Sequence, residues 1–293
     1  MEVSCWDFAS IAVKALLYAA TLAMAGGVFF LVYSASLLER ADRATIGRRL
    51  IVLGTGAVLA SAVRILLTAG SMSGAVSGML DSGLLALVWH DGEGRAAMLR
   101  VAGFLLTVPA LASVRRPGVP AIAGAAAAAT SFAWVGHGHT TGLRSSIALL
   151  GIHLLAAAFW IGAFWPLQLL ARGDDARRVA AAAARFGRAA VGAVSLLILA
   201  GATALSIMLG SFPQLWRTGY GRTACIKLAL VAGILVLAAV NKWRLTPRVL
   251  AGERCAARAL LRSIALEMVL AGGVLLATAA LTTLSGPPAA AAR

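Results

Sequence analysis

Eight long apolar runs follow one another along the chain, at about 8–33, 50–70, 96–114, 119–137, 145–170, 189–211, 223–241 and 262–284. The hydrocarbon core of a bilayer is about 30 Å thick and takes about 20 residues of α-helix to cross. The chain is therefore expected to fold as an all-α polytopic membrane protein with eight transmembrane helices. Its composition agrees, since 60% hydrophobic residues, 13% charged residues and a mean hydropathy of +0.89 fall outside the range of soluble domains. The longest connection, about 71–95, is itself half apolar, so residues 1–293 read as one membrane domain.

Basic residues orient the bundle, because cytoplasmic loops are enriched in Lys and Arg. Seventeen of the 26 fall in the connections after runs 1, 3, 5 and 7, from Arg40 to Arg262. The opposite loops and both tails hold Arg95, Arg144, Arg217, Arg222 and Arg293, and Lys14, Arg64, Arg100 and Lys227 fall within runs. Both termini are thus expected outside, in the periplasm of a Gram-negative cell, with the protein multi-pass in the inner membrane. The net charge of +15 follows from this bias and from attraction to anionic lipid; nucleic acid is not implied. Cys5 and Cys225 would lie outside and Cys255 inside, which leaves room for at most one disulfide.

The chain also echoes itself. Trp89-His90-Asp91-Gly92-Glu93-Gly94-Arg95-Ala96-Ala97-Met98-Leu99-Arg100 aligns without gaps on Trp216-Arg217-Thr218-Gly219-Tyr220-Gly221-Arg222-Thr223-Ala224-Cys225-Ile226-Lys227. Both segments lead from an outer loop into a span. At one constant offset Tyr18, Gly27 and Phe29 match His153, Gly162 and Phe164. Four spans plus four, half-repeats 1–140 and 141–288 in parallel orientation, is the simplest architecture, and such repeats place ligand sites near their interface.

The four histidines, His90, His137, His139 and His153, all fall on or near the outer side of this topology. Imidazole is the commonest metal ligand, which makes them candidates for one shared site. His153 lies about 12 Å into the fifth run at 1.5 Å per residue, where a polar side chain should face the bundle interior. Trp160, seven residues on, occupies nearly the same helical face and is expected to pack near it. His137-Gly138-His139, in a glycine-rich stretch, supplies two imidazoles at a spacing suited to copper.

Soft sulfur ligands favour Cu(I), and Met72, Met79, Met98, Met208, Cys5 and Cys225 fall on the outer side. Met98 and Cys225 occupy matched positions of the repeat and join the candidate metal ligands. Lys14, Arg64, Arg100 and Lys227 lie in the outer halves of their spans and have two outcomes open. They snorkel to the interface, or they face inward and pair with Asp81, Asp91 and Glu93 or hold an anionic group such as a haem propionate. Glu267, near the inner end of the last span, is a candidate for a charge path or an ion pair, as are Arg100 and Lys227.

Several of these residues carry a family resemblance. The stretch His153–Gly162, Tyr220-Gly221-Arg222 with Lys227, Asn241-Lys242, Pro247, Glu267 and Pro287-Pro288 resemble the CopD/PcoD copper resistance family over nearly the whole chain. The resemblance implies an inner-membrane protein of copper homeostasis that moves copper from periplasm to cytoplasm beside a periplasmic copper-binding partner of the CopC type. His153 is the residue it carries over. No GxxxxGK[ST] motif couples transport to a nucleotide, and no catalytic dyad or triad marks an enzyme. Two other readings stay open: a membrane haem b electron-transfer protein with bis-His ligation, and a metal-sensing or assembly component; under any of the three a homo-oligomer stays open as well.

Overall fold

The structure, a computed structural model, describes residues 4–114, 116–135, 144–171, 176–209 and 213–284, which are helical with short turns and contain no strand. The helices are α1 (Cys5–Tyr33), α2 (Arg40–Ser73), α3 (Ser82–His90), α4 (Gly92–Ala112), α5 (Val119–Thr130), α6 (Arg144–Ala171), α7 (Ala176–Leu209), α8 (Gln214–Arg217), α9 (Gly219–Val240), α10 (Thr246–Leu250) and α11 (Arg254–Leu284). Seven stretches, in α1, α2, α4, α6, α7, α9–α10 and α11, are long and apolar enough to cross a membrane. The protein is a multi-pass membrane protein.

The fourth expected span is the short one. Apolar helix Val119–Trp134, α5 with a 3-10 turn at its end, reaches about 24 Å at 1.5 Å per residue, less than a full hydrocarbon core. α2 and α7 instead run past their apolar cores into the basic flanks: α2 starts at Arg40 and α7 at Ala176. Helix propensity continues through Arg and Ala where hydropathy drops, so the hydropathy boundary falls inside the helix.

Local chemistry sets the ends. Ser4 caps α1 in a reciprocal box, its Oγ accepting from the Asp7 backbone N–H and the Asp7 carboxylate accepting from the Ser4 backbone N–H at 2.9 Å. Glu39 and Asp42 do the same for α2. Below α9 the backbone passes through one π-turn, Asn241–Leu245, before α10. Pro247 explains it: proline lacks the N–H that would bond back along the helix and its ring crowds the carbonyl four residues earlier, which a widened turn relieves.

α1 is the centre of the bundle. Some 61% of its most apolar stretch is buried inside the protein, against 6% for α7, and α2, α5, α6 and α11 pack around it. Its crossing with α6 runs backbone on backbone: a Cβ added to Gly26 would strike the Ala158 carbonyl, and one added to Gly162 would strike Gly26 and Gly27. Without a hydrophobic force between helices in lipid, association depends on such close packing at small residues. α4 and α5 meet in the same way through Gly103 and Gly124.

At the C-terminal end of α1 the α1–α2 corner is tied to the start of α7. Arg178 bonds Glu39 and, at 3.2 Å, Asp42. The Tyr33 hydroxyl donates to the Arg185 carbonyl at 3.2 Å, and the Arg185 guanidinium lies over the Tyr33 ring and donates to Ser36 Oγ at 2.7 Å. Gly162→Ala should lower stability by about 2 kcal/mol, because no side chain can yield at a backbone crossing. Gly192→Ala on α7, where a Cβ meets nothing within 4 Å, should be neutral or slightly stabilising. Unfolding titrations of the two variants in mixed micelles check this.

Candidate functional site

His153 stands in the N-terminal half of α6, half-buried and turned toward α7. Its Nδ1 is 3.2 Å from the carbonyl oxygen of Leu197. A carbonyl only accepts, so Nδ1 carries the proton and the neutral ring keeps its lone pair on Nε2. That is the tautomer in which a second-shell carbonyl holds an imidazole for a metal. Gly201, one turn beyond Leu197, leaves room for the ring: a Cβ there would lie 3.2 Å from His153 Cε1. Lys227 of α9 lies within electrostatic reach.

The other candidates are distributed unevenly. His90 is the exposed last residue of α3, which packs on α2 and α4, so it belongs to a different part of the bundle from His153. His137 and His139 lie outside the described residues. Met98 is 48% exposed beside an open apolar depression of about 340 Å³ formed with Arg95, Leu99, Ala102 and Trp134. Cys225 is half-buried with its Sγ 4.0 Å from the Leu215 carbonyl, and it is free, as are Cys5 and Cys255. Trp160 is 5% exposed and packs in the core against Phe164. Among the described residues no three His, Cys, Asp or Glu side chains gather where they could hold a metal ion.

A second polar centre lies among the N-terminal helices, at the end of the bundle where α1 begins. Lys14 of α1, Arg64 of α2, and Glu93 and Arg100 of α4 converge with Tyr18 and Phe132 on one small cavity, bordered also by Leu17 and Val135. The cations face inward. Glu93 accepts from Arg64 Nε at 3.2 Å, whereas Asp81 caps α3 through the Leu84 N–H and Asp91 is exposed. Arg100, 2% exposed, donates through Nε to Ser131 Oγ at 2.9 Å and through Nη1 to Ser61 Oγ at 3.1 Å, and lies over the Phe132 ring.

Each serine is in turn anchored, Ser61 donating to the Ala57 carbonyl and Ser131 to that of Ala128. The Lys14 ammonium donates to the Thr282 carbonyl of α11 at 3.0 Å, and Tyr18 meets the Thr282 hydroxyl and the edge of Phe132. Sequence reasoning named the cations and Glu93 but not Ser61, Ser131, Tyr18 or Thr282 as their partners. Those partners sit on other helices, and the visible signal was the excess of embedded cations over carboxylates.

Toward the opposite end of the bundle Glu267 is 4% exposed and accepts from Asn241 Nδ2 at 2.9 Å, an amide partner in place of a basic one. The π-turn begins at Asn241, so the backbone irregularity and the buried carboxylate share one place. Asn241 Oδ1 and Ser263 Oγ, both buried, have no hydrogen-bond partner.

The two matched outer segments have the same local form. Trp89 and Trp216 close short helices, Asp91 and Thr218 stand at the N-cap positions, and Gly92 and Gly219 open long ones. Gly94 and Gly221 each press against a carbonyl of the preceding short helix, that of Trp89 and that of Leu215, where no Cβ fits. Comparison with known families bears on both halves. Residues 180–281 match the model of Copper resistance protein D, and residues 5–146 match that of the Copper resistance protein D-like N-terminal domain. The chain belongs to the CopD/PcoD copper resistance family. No curated protein and no solved structure matches it.

Glu93 is the one carboxylate in the outer cluster among the described residues, so Glu93→Gln should cost about 3 kcal/mol of stability by leaving buried cations less compensated. Asp91→Asn, exposed at the start of the same helix, should change it by less than about 0.5 kcal/mol. Denaturant unfolding of the two variants beside wild type checks the difference.

Proposed function

We propose that the protein carries copper across the cytoplasmic membrane from the periplasm, taking up the ion at an outer-side site built on His153. The observation that carries this reading is the bond from His153 Nδ1 to the Leu197 carbonyl, which leaves a lone pair on Nε2 for a metal. Membership of a copper resistance family supplies the cargo. His137 and His139 are proposed as its further ligands. Thr130 packs against α6 at Gly151, 3.7 Å from where a Cβ would stand, and the 3-10 turn that follows contacts α6 as well as α4.

The proposed orientation, both termini periplasmic, rests on the Lys and Arg bias of the loops. Copper then reaches the His site from a periplasmic carrier of the CopC type. Cu(I) is the proposed form, because a soft ion accepts imidazole and sulfur, and Met98 and Cys225 are proposed as outer-mouth contacts rather than as part of the His153 shell.

The two halves, 1–140 and 141–288, are proposed as a parallel duplication. Three features support it: the matched short-helix entrances, Gly27 and Gly162 in contact at the α1–α6 crossing, and matched side-chain neighbours. Tyr18 lies within reach of Arg100 as His153 lies within reach of Lys227. Equivalent residues that touch each other lie on the axis relating two halves, where such transporters place their cargo.

His153→Ala should weaken Cu(I) binding by tenfold or more in competition with a chromophoric chelator and lower copper accumulation in cells that express it, while His90→Ala changes either by less than about twofold. Unchanged affinity in His153→Ala would remove the site, and a Soret band in purified wild type would favour a haem protein instead.

A further inference from the structure

The outer cluster has an unbalanced charge. Lys14, Arg64 and Arg100 face one carboxylate, Glu93, around a small, partly open cavity lined also by Leu17, Tyr18, Phe132 and Val135. Arginine stays protonated at any accessible pH, so even the two guanidiniums alone exceed the carboxylate. Burying uncompensated charge costs several kcal/mol per ion, and here the surroundings are a membrane bundle. The other described carboxylates of the outer side are committed or turned away: Asp7 bonds Ser4, Asp81 caps α3 and Asp91 is exposed. Residues 136–143, which continue from Val135, contain no Asp or Glu.

The donors are not used up. A guanidinium has five N–H donors and an ammonium three. Arg100 spends two on Ser61 and Ser131, and Lys14 one on Thr282. The serine hydroxyl protons are given to helix carbonyls, so the neighbours of Arg100 only accept. What the cavity lacks is an anionic acceptor. Its volume, about 10 Å³, is close to the least that a single water needs, too small for a tetrahedral oxyanion or a lipid headgroup; a halide, somewhat larger than water, needs the flexible Lys14 and Arg64 side chains to give way.

We propose that this cluster binds one small monovalent anion of the halide class, held by N–H donors of Lys14, Arg64 and Arg100 and screened from lipid by Tyr18 and Phe132. The ion brings the cluster closer to neutrality and fastens α1, α2 and α4 at their outer ends. One consequence rests on the copper reading: a filled site lowers the positive potential that an incoming copper ion meets at the outer mouth. Binding of the anion does not rest on it.

The test uses purified full-length protein without copper, in detergent at constant ionic strength. Replacing sodium gluconate stepwise by sodium chloride or bromide should raise the melting temperature saturably, as expected for a ligand of the native state. After equilibrium dialysis in bromide, X-ray fluorescence should count about one tightly held ion per chain. Lys14→Met should weaken that binding by tenfold or more, and Lys242→Gln, exposed at the inner side, should leave it unchanged.

Equal melting in gluconate and chloride with no retained bromide in wild type would overturn the proposal, and that measurement stands even if a cluster variant fails to fold. Retention equal in wild type, Lys14→Met and Arg100→Gln would also overturn it, by placing the ion elsewhere. A haem whose propionate occupies the cluster would show as a Soret band without halide binding, which overturns it too. Copper affinity measured in gluconate separates failure here from failure at His153.

Discussion

The contact of Gly26 and Gly27 on α1 with Gly162 on α6 is the constraint from which the rest of the arrangement follows. Lipid tails offer no hydrophobic reward for helix pairing, so van der Waals contact between backbones has to supply it. A side chain at Gly26 or Gly162 would enter the backbone of the other helix, and one at Gly27 would strike Leu50 of α2. The approach places α1 in the middle of the bundle, leaves its other faces to α2, α5 and α11, and sets the outer half of α6 against α7, where His153 meets Leu197. Tyr18, two turns outward from the crossing on α1, and His153, at the matched level on α6, then stand on either side of the same contact.

Polar chemistry is divided among three places with different characters. His153 is a neutral donor site supported by a backbone carbonyl. The cluster of Lys14, Arg64, Arg100 and Glu93 is cationic and tied together by hydroxyls of Ser61, Ser131 and Thr282. Glu267 is a single buried carboxylate against Asn241 at the π-turn. A soft cation suits the first of these, and the second suits an anion. The two stand apart, one at the α6–α7 contact and the other between α1, α2 and α4, and the cation that acts on His153 is Lys227 of α9.

Hydropathy made the all-helical membrane class and seven of the spans legible, because bilayer thickness acts on each run independently of its neighbours. The Val119–Trp134 helix has the apolar character of a span and not the length. The starts of α2 and α7 were hidden because Arg and Ala continue a helix after hydropathy has ended. The inward course of Arg64 and Arg100 was one of two readings from sequence. What decides it is Ser131, Ser61 and Phe132, residues 31 to 39 positions from Arg100, which no local pattern connects to it. Likewise the partnership of Asn241 with Glu267, 26 residues on, needed the packing of α9 against α11. His153 was legible as an interior residue from its depth alone, whereas its tautomer required Leu197.

The central claim is that copper binds to imidazole on the outer side, with His153 at its core. X-ray absorption at the copper K edge of Cu(I)-loaded wild-type protein addresses the ligand shell itself. The account predicts the outer-shell scattering of more than one imidazole per copper, reduced in His153→Ala. A shell of sulfur alone, or a spectrum identical in wild type and His153→Ala, would contradict it.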